Sequence, residues 1–178
     1  MKWLYCYKKQ VKDIENCPID IKCEMFAPGI RSGYTLPGES CSFKQICLRL
    51  LFRIITHGKA KIVFVANDDD LMHTSYVIPK CSKFPFWGKE DYEIGPCFTL
   101  PKYRGKGIYP AVLRYICKNI GSEKSVFYMI VDESNQPSIK GIEKAGFVRC
   151  GTVRTTKLTK KYILECRKLH MEYNSRME

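Results

Sequence analysis

The stretch Arg104-Gly105-Lys106-Gly107-Ile108-Tyr109-Pro110 combines two glycines and two cations directly before a predicted helix. Proline suits the first position of a helix, so the sequence predicts a helix that begins at Pro110 with Tyr109 as its N-cap. Unpaired main-chain N–H groups and the helix dipole favour an anion at such an end. The two glycines permit positive φ and a close approach of a ligand to the backbone. The stretch therefore predicts a cradle for phosphate groups.

The segments on either side of this loop have the patterns of strands. Residues Tyr92 to Leu100 alternate as a strand does, with an interruption at Gly95 and Pro96. Because proline donates no ladder hydrogen bond, Pro96 predicts a bulge, an edge or a place where the strand parts from its neighbour. The apolar run from Ser125 to Val131 does not alternate, which predicts a strand buried on both faces.

Two helices are predicted from apolar stripes that end at glycines. The helix from Pro110 should end at Gly121, and a second helix should begin near Pro137 and end at Gly146. The stripe of the first helix consists of Leu113, Ile116, Cys117 and Ile120.

The remaining elements are predicted from periodicity alone. Apolar residues at helical spacing predict an amphipathic helix over Ser42 to Ile55, with its apolar side facing the core. Lys61 to Ala66 and Met72 to Ile78 predict a hairpin. Further strands are predicted at Ile19 to Glu24, Val153 to Thr156 and Tyr162 to Cys166.

The order of these elements, together with two motifs, resembles the GCN5-related N-acetyltransferase (GNAT) superfamily. One motif is the glycine loop, and the other is Asn135-Gln136-Pro137-Ser138 followed by Glu143-Lys144-Ala145-Gly146-Phe147. A nucleoside triphosphate loop needs a longer glycine spacing ending in Lys-Ser or Lys-Thr, and a dinucleotide fingerprint needs a third glycine where Pro110 stands. The resemblance covers roughly residues 60 to 150.

The resemblance implies an α+β fold in one acyltransferase domain over residues 1–178. Its central sheet would be mixed, mostly antiparallel, with six to seven strands, flanking helices and splayed central strands. Residues 1–60 would supply an N-terminal strand and helix, residues 60–150 the cofactor-binding core, and residues 151–178 the C-terminal strands.

The resemblance also implies acetyl-coenzyme A (acetyl-CoA), or another acyl-CoA, as co-substrate in the splay. Main-chain groups around Phe98, Thr99 and Leu100 would pair with the pantetheine arm. The amides from Arg104 to Tyr109 would hold the pyrophosphate, namely those of Arg104, Gly105, Lys106, Gly107, Ile108 and Tyr109. Asn135 and Ser138 would contact the far end of the cofactor, although both residue types equally often cap a helix such as the one at Pro137.

Two positions depart from the family pattern. Tyr109 stands where the loop usually closes with a small residue, which puts cofactor affinity in question. Ile142 stands where the family often has a tyrosine that protonates the departing thiolate, so that role is unassigned. A thiolate is a tolerable leaving group at neutral pH, and one general acid contributes about 10²- to 10⁴-fold.

Two residues are candidates for the general base that takes a proton from the acceptor amine. Glu93 lies on the central strand, upstream of the cofactor groups. His73 lies on the preceding strand and has an ordinary pKa that suits proton transfer near neutrality, although a lone histidine in a strand is more often structural. No metal is expected.

Charge, cysteine spacing and apolar runs indicate where the protein is located and which partners it is not expected to bind. The net charge is +12, and the ten cysteines contain no Cys-x-x-Cys pair, which favours reduced thiols and a cytoplasmic location. No apolar run reaches membrane-spanning length, so no membrane insertion is expected. No nucleic-acid-binding motif is visible, and a homodimer is compatible with the sequence.

The predicted reaction is transfer of an acetyl group to a small-molecule amine by direct attack in a ternary complex. An amino sugar or nucleotide-linked amino sugar is favoured because the segment from Lys80 to Trp87 is basic and aromatic. The same aromatic residues could instead plug the core. Polyamine or protein amines are the alternative acceptors, and a non-catalytic basic module that binds nucleic acid is the alternative of another class.

Overall fold

The computed structural model of the chain describes residues 4–10, 21–29, 35–36, 42–80, 88–155 and 162–165. Eight strands lie within these ranges: β1 (Leu4–Gln10), β2 (Glu24–Phe26), β3 (Lys61–Ala66), β4 (Leu71–Pro79), β5 (Tyr92–Thr99), β6 (Val126–Asp132), β7 (Val148–Thr155) and β8 (Tyr162–Glu165). The α-helices in the same ranges are α1 (Phe43–Ile55), α2 (Ile108–Asn119) and α3 (Gln136–Lys144).

The eight strands form one mixed sheet in the order β2-β3-β4-β5-β6-β1-β7-β8. All neighbours are antiparallel except β5 and β6, which are parallel. The predicted α+β class is confirmed. The sheet has eight strands in the described ranges, one more than the upper number expected. Residues 19, 20, 156 and 166 of the predicted strands lie outside the described ranges.

The strand that the sequence did not predict is β1, which lies inside the sheet between β6 and β7. The sequence of β1 does not show the usual alternation of apolar and polar residues, because the charged residue Lys9 occupies a buried position. The Lys9 ammonium donates to the Ala145 carbonyl at 2.7 Å, at the C-terminal end of α3, and the Tyr7 hydroxyl donates to Glu143 Oε1 at 2.9 Å. A cation at this end of a helix is favourable. Strand β1 therefore holds α3 in place.

The core lies between the sheet and helices α2 and α3. The predicted stripe of α2 is buried, with Leu113, Ile116 and Cys117 fully enclosed. They join Ile94 of β5 and Ile142 of α3 in one apolar cluster. Because α2 and α3 are fixed on the same cluster, their N-terminal ends are held relative to β5, where the candidate site lies.

Helix α1 differs from its prediction. Several of its apolar side chains are exposed rather than facing the core: Phe43, Leu50, Leu51, Ile54 and Ile55. Arg49 is buried instead, and its guanidinium donates to the Tyr76 hydroxyl at 3.3 Å. Arg53 donates to the Pro28 carbonyl at 2.8 Å. Long cationic side chains can bury their stems when their heads find acceptors, and here they orient the helix.

Candidate active site

Strands β5 and β6 separate shortly after they begin. They pair only at Tyr92 with Phe127 and at Glu93 with Tyr128. Beyond this point β5 continues through Gly95, with φ of 154°, and the exposed Pro96. Because proline donates no ladder hydrogen bond, it suits a strand that has left its neighbour. The predicted splay of the two central strands is confirmed.

A short 3₁₀ turn, Pro101–Tyr103, follows β5 and is anchored to the β3–β4 turn. The Tyr103 hydroxyl donates to Asp70 Oδ2 at 2.7 Å, and the Lys102 ammonium forms an ion pair with the same oxygen. The hydrogen bond from Lys102, followed by that from Tyr103, holds the pKa of Asp70 below its ordinary value. These contacts set where the glycine loop begins.

The glycine loop has the left-handed backbone that its sequence predicts. Gly105 and Gly107 have φ of 78° and 77°, which favours glycine. A Cβ atom added to either would meet no other atom within 4 Å, so the loop is open on this side. Gly107 is the N-cap, and α2 begins at Ile108 rather than at Pro110. Pro110 is thus the third helical residue, which is allowed because the first N–H groups of a helix have no internal partner.

The main-chain amides of this loop differ in their availability. The Arg104 amide donates to the Pro101 carbonyl at 3.2 Å, so it is already used, contrary to the prediction that it binds the pyrophosphate. The Arg104 side chain is exposed, and its Nε donates to the Thr99 carbonyl at 3.0 Å. In the described part of the chain, the N–H groups of residues 105–109 have no protein acceptor. Free N–H groups of this kind are what an anion site at a helix N-terminus requires, and anion binding here stays a prediction.

A cleft of about 480 Å³ joins the splay to this loop. Nine of the predicted cofactor residues line it: Phe98, Thr99, Arg104, Gly105, Gly107, Ile108, Tyr109, Asn135 and Ser138. Leu100 and Lys106 do not line it. The Leu100 amide donates to the Met72 carbonyl at 3.0 Å, and the Lys106 ammonium lies 5.1 Å from the ring centroid of Tyr103.

Other lining residues were not predicted from the sequence to contact the cofactor. They are Cys97, Tyr103, Pro110, Pro137, Lys140, Gly141 and Lys144. A signal existed for Lys140 and Lys144, because residues four apart share one face of a helix. Cys97 could have been found because it shares a strand face with Thr99, two residues further along β5. The role of Gly141 depends on a neighbour distant in sequence.

The alternative reading of the second motif, local capping, is found in the structure. Asn135 is the N-cap of α3, and its Oδ1 accepts a hydrogen bond from the Ser138 amide at 3.3 Å. Both residues also line the cleft. Capping occupies Asn135 Oδ1 and the Ser138 amide, which leaves the Ser138 hydroxyl for ligand contact.

The two candidate bases lie in different surroundings. Glu93 is partly exposed and is the last β5 residue paired with β6, at the apex of the splay. His73 is fully buried on β4. Its Nδ1 lies 2.7 Å from Thr99 Oγ1 and its Nε2 2.8 Å from Ser75 Oγ, so both ring nitrogens are engaged within the protein. This enclosure disfavours His73 as the base and leaves Glu93 as the candidate.

Burial of His73 predicts a pH-dependent stability. Burial lowers the pKa of His73 from 6.5 to about 4. Between these values the unfolded chain binds more protons than the folded one, so stability present above pH 6.5 is lost as the pH falls toward 4. Urea denaturation should show that this loss is about 3 kcal/mol smaller in His73→Gln than in the wild type. His57→Gln, at an exposed position, should behave as the wild type, and identical pH profiles for all three proteins would contradict the assignment.

Three remaining points concern the basic and aromatic segment, metal binding and membrane-spanning helices. Residues 81–87 of the basic and aromatic segment lie outside the described ranges. Among the described residues, no group of three or more His, Cys, Asp or Glu side chains is arranged to hold a metal ion. None of the helices within those ranges has the length and apolar character needed to cross a bilayer.

Comparison with known proteins decides the family. The model of the Acetyltransferase (GNAT) family matches residues 47–147, more than half of the chain. The chain belongs to the GNAT acetyltransferase family. The matched segment includes the splayed GNAT strands, the glycine loop and the second motif. No protein of curated function gives a significant match to the sequence.

Solved structures show the same fold at low sequence identity. A functionally unknown conserved protein from Staphylococcus epidermidis ATCC 12228 is 10% identical, with a TM-score of 0.54 over 85% of this chain and 59% of that chain. A GCN5-related N-acetyltransferase from Sphaerobacter thermophilus is 12% identical, with a TM-score of 0.53 over 85% of this chain and 49% of that chain. The chain thus spans about half to three fifths of the length of these two proteins.

Proposed function

We propose that this protein is an acyl-CoA-dependent N-acyltransferase that transfers an acetyl group to a small-molecule amine. The observation that carries the proposal is one continuous cleft, which runs from the splay of β5 and β6 to the unpaired amides at the start of α2. A thioester cofactor with a long arm and a pyrophosphate needs both features in this order.

The residues of the cleft fit acetyl-CoA. The amides of residues 105–109 would hold the pyrophosphate, with the Arg104 guanidinium beside them. The main chain of β5 from Cys97 to Thr99, which has no β6 partner, would pair with the pantetheine arm. Bound there, acetyl-CoA supplies a thioester whose acyl carbon an amine can attack.

The chain's own groups would then align the reactants and handle the proton. A β5 amide near Phe98 or Thr99 would donate a hydrogen bond to the carbonyl oxygen, where negative charge develops during attack. Glu93, at the apex of the splay, would take the proton from the acceptor amine directly or through water. Both groups belong to β5, so one strand would align the thioester and accept the proton.

The acceptor that we propose first is an amino sugar or a nucleotide-linked amino sugar. The net charge of +12 favours a phosphorylated acceptor over a cationic polyamine. Amines of polyamines or proteins are the alternative acceptors in the same class.

Calorimetric titration tests the cofactor before any acceptor is sought. Acetyl-CoA should bind with a stoichiometry of one, and CoA should compete with it. A thiol-release assay over amino sugars, nucleotide-linked amino sugars, polyamines and peptide amines should then identify the acceptor class. Failure of acetyl-CoA and CoA to bind would overturn the proposed function.

The paired lysines of α3 predict how the adenosine end of the cofactor is bound. Lys140 and Lys144 are exposed, line the cleft and lie one helical turn apart, which suits the 3′-phosphate. Lys140→Ala combined with Lys144→Ala should weaken CoA binding about tenfold, since each exposed pair contributes up to about 1 kcal/mol. Calorimetry should show no change for 3′-dephospho-CoA. Equal losses for both ligands would instead assign the lysines to the pyrophosphate.

A further inference from the structure

A hydrogen-bond donor stabilises the leaving sulfur of a thioester, because negative charge develops on the sulfur as the carbon–sulfur bond breaks. The α3 position that carries a thiolate-protonating tyrosine in the family pattern offers no donor here. Ile142 is apolar and only 1% exposed, within the core, and Gly141 beside it has no side chain. The tyrosine that lines the cleft next to these two residues belongs to α2.

Tyr109 of α2 lies in the space that Gly141 leaves open. A Cβ atom added to Gly141 would be 2.5 Å from Tyr109 Cδ1, so the ring packs directly on the α3 backbone. Tyr109 also lines the cleft, and its ring centroid is 5.8 Å from that of His73. The tyrosine thus spans the gap between α3 and the strands β4 and β5.

The Tyr109 hydroxyl lies beside a sulfur atom, Cys97 Sγ of β5, and the interaction of the two groups affects the pKa of both. Ser75 Oγ donates to the same sulfur at 3.1 Å, and Cys97 also lines the cleft. The phenol therefore points at the part of β5 that has lost β6 as its partner, where the proposed pantetheine arm runs toward the reacting end.

We infer that the Tyr109 hydroxyl is the donor that stabilises the leaving sulfur, and this inference rests on the proposed function. As the amine nitrogen bonds to the acyl carbon, the carbon–sulfur bond breaks and its electron pair stays on sulfur. Tyr109 donates its hydrogen bond to that charge. The amine proton passes to Glu93 and then to solvent, and the sulfur takes a proton from solvent, so an amide and a thiol are released.

The surroundings of Tyr109 suit a donor that keeps its proton. Burial, followed by the charge of Cys97 and the hydrogen bond to it, raises the pKa of Tyr109 above its ordinary value of 10. The phenol therefore stays protonated wherever a thiolate, with an ordinary pKa of about 8.5, can form. Its partner is equally unreactive, because burial raises the pKa of Cys97 to about 11.

The test compares the binding of CoA with that of S-methyl-CoA, which has no ionisable thiol, as the pH rises from about 7 to about 9.5. A donor at sulfur lowers the pKa of the bound thiol, so the affinity for CoA relative to S-methyl-CoA should rise about tenfold in the wild type. In Tyr109→Phe, which keeps the ring against Gly141, the ratio should stay flat. Tyr115→Phe, an equal change on the same helix outside the cleft, should behave as the wild type.

A second variant separates Tyr109 from its present partner. Cys97→Ala removes the sulfur that now lies beside the Tyr109 hydroxyl, so the rise in relative affinity should persist or increase. A flat ratio in the wild type, or a rise that persists in Tyr109→Phe, would overturn the inference while CoA binding still supports the proposed function. Absence of CoA binding by the wild type would overturn both.

Discussion

Glu93→Gln should lower turnover by about 10²- to 10⁴-fold while leaving the affinity for CoA unchanged. Glutamine keeps the size of the side chain but cannot accept the amine proton. Glu93 lies at the apex of the splay and does not line the cleft beside the loop, so cofactor binding should not depend on its charge. Steady-state thiol release and calorimetry with CoA measure the two quantities separately.

The control for this variant is Glu123→Gln, which makes the same change at an exposed position outside the cleft. It should keep the wild-type rate. A Glu93→Gln protein that turns over as fast as the control would exclude Glu93 as the base. A parallel loss of CoA affinity would indicate a role in binding instead.

Arg104→Ala combined with Lys106→Ala should weaken CoA binding by about 10²- to 10³-fold. Each charge-assisted hydrogen bond contributes about 1.5–3 kcal/mol, and one solvent-facing cation of the pair contributes less. Both side chains are exposed, so the thermal midpoint should change little. Calorimetry at two salt concentrations should show that the wild type loses affinity as salt rises and that the variant loses less.

Lys118→Ala combined with Lys124→Ala removes the same net charge from exposed positions that do not line the cleft. CoA affinity should then stay close to that of the wild type. If this control loses as much affinity as the loop variant, general electrostatic attraction rather than a local phosphate site would explain binding. Arg104→Ala alone should have the larger share of the loop effect, because Arg104 lines the cleft and Lys106 does not.

Features that depend on short stretches of chain were predictable. Gly105 and Gly107 adopt positive φ, which favours glycine. Asn135 caps α3 by accepting a hydrogen bond from the Ser138 amide, three residues further along the chain. Each of these requirements involves residues within a few positions of one another, so spacing in the sequence is enough to detect it. The start of α2 was misplaced by two residues, because proline is tolerated throughout the first turn and marks no single position.

Features that depend on distant partners were missed or misread. Lys9 reads as a solvated cation, yet it is buried because the C-terminal end of α3 supplies an acceptor 136 positions away. The apolar stripe of α1 reads as a core face, whereas Arg49 is the residue that the sheet encloses. Periodicity identifies which residues share a face but not which face is covered.

The sequence alone determined the family, the backbone of the glycine loop and the splay at Pro96, because glycine, proline and capping residues constrain the backbone wherever they occur. Only the tertiary structure decided that β1 lies between β6 and β7, that Thr99 and Ser75 enclose His73, and that Tyr109 occupies the space above Gly141. These arrangements arise from packing between elements far apart in the chain, and packing has no local signature.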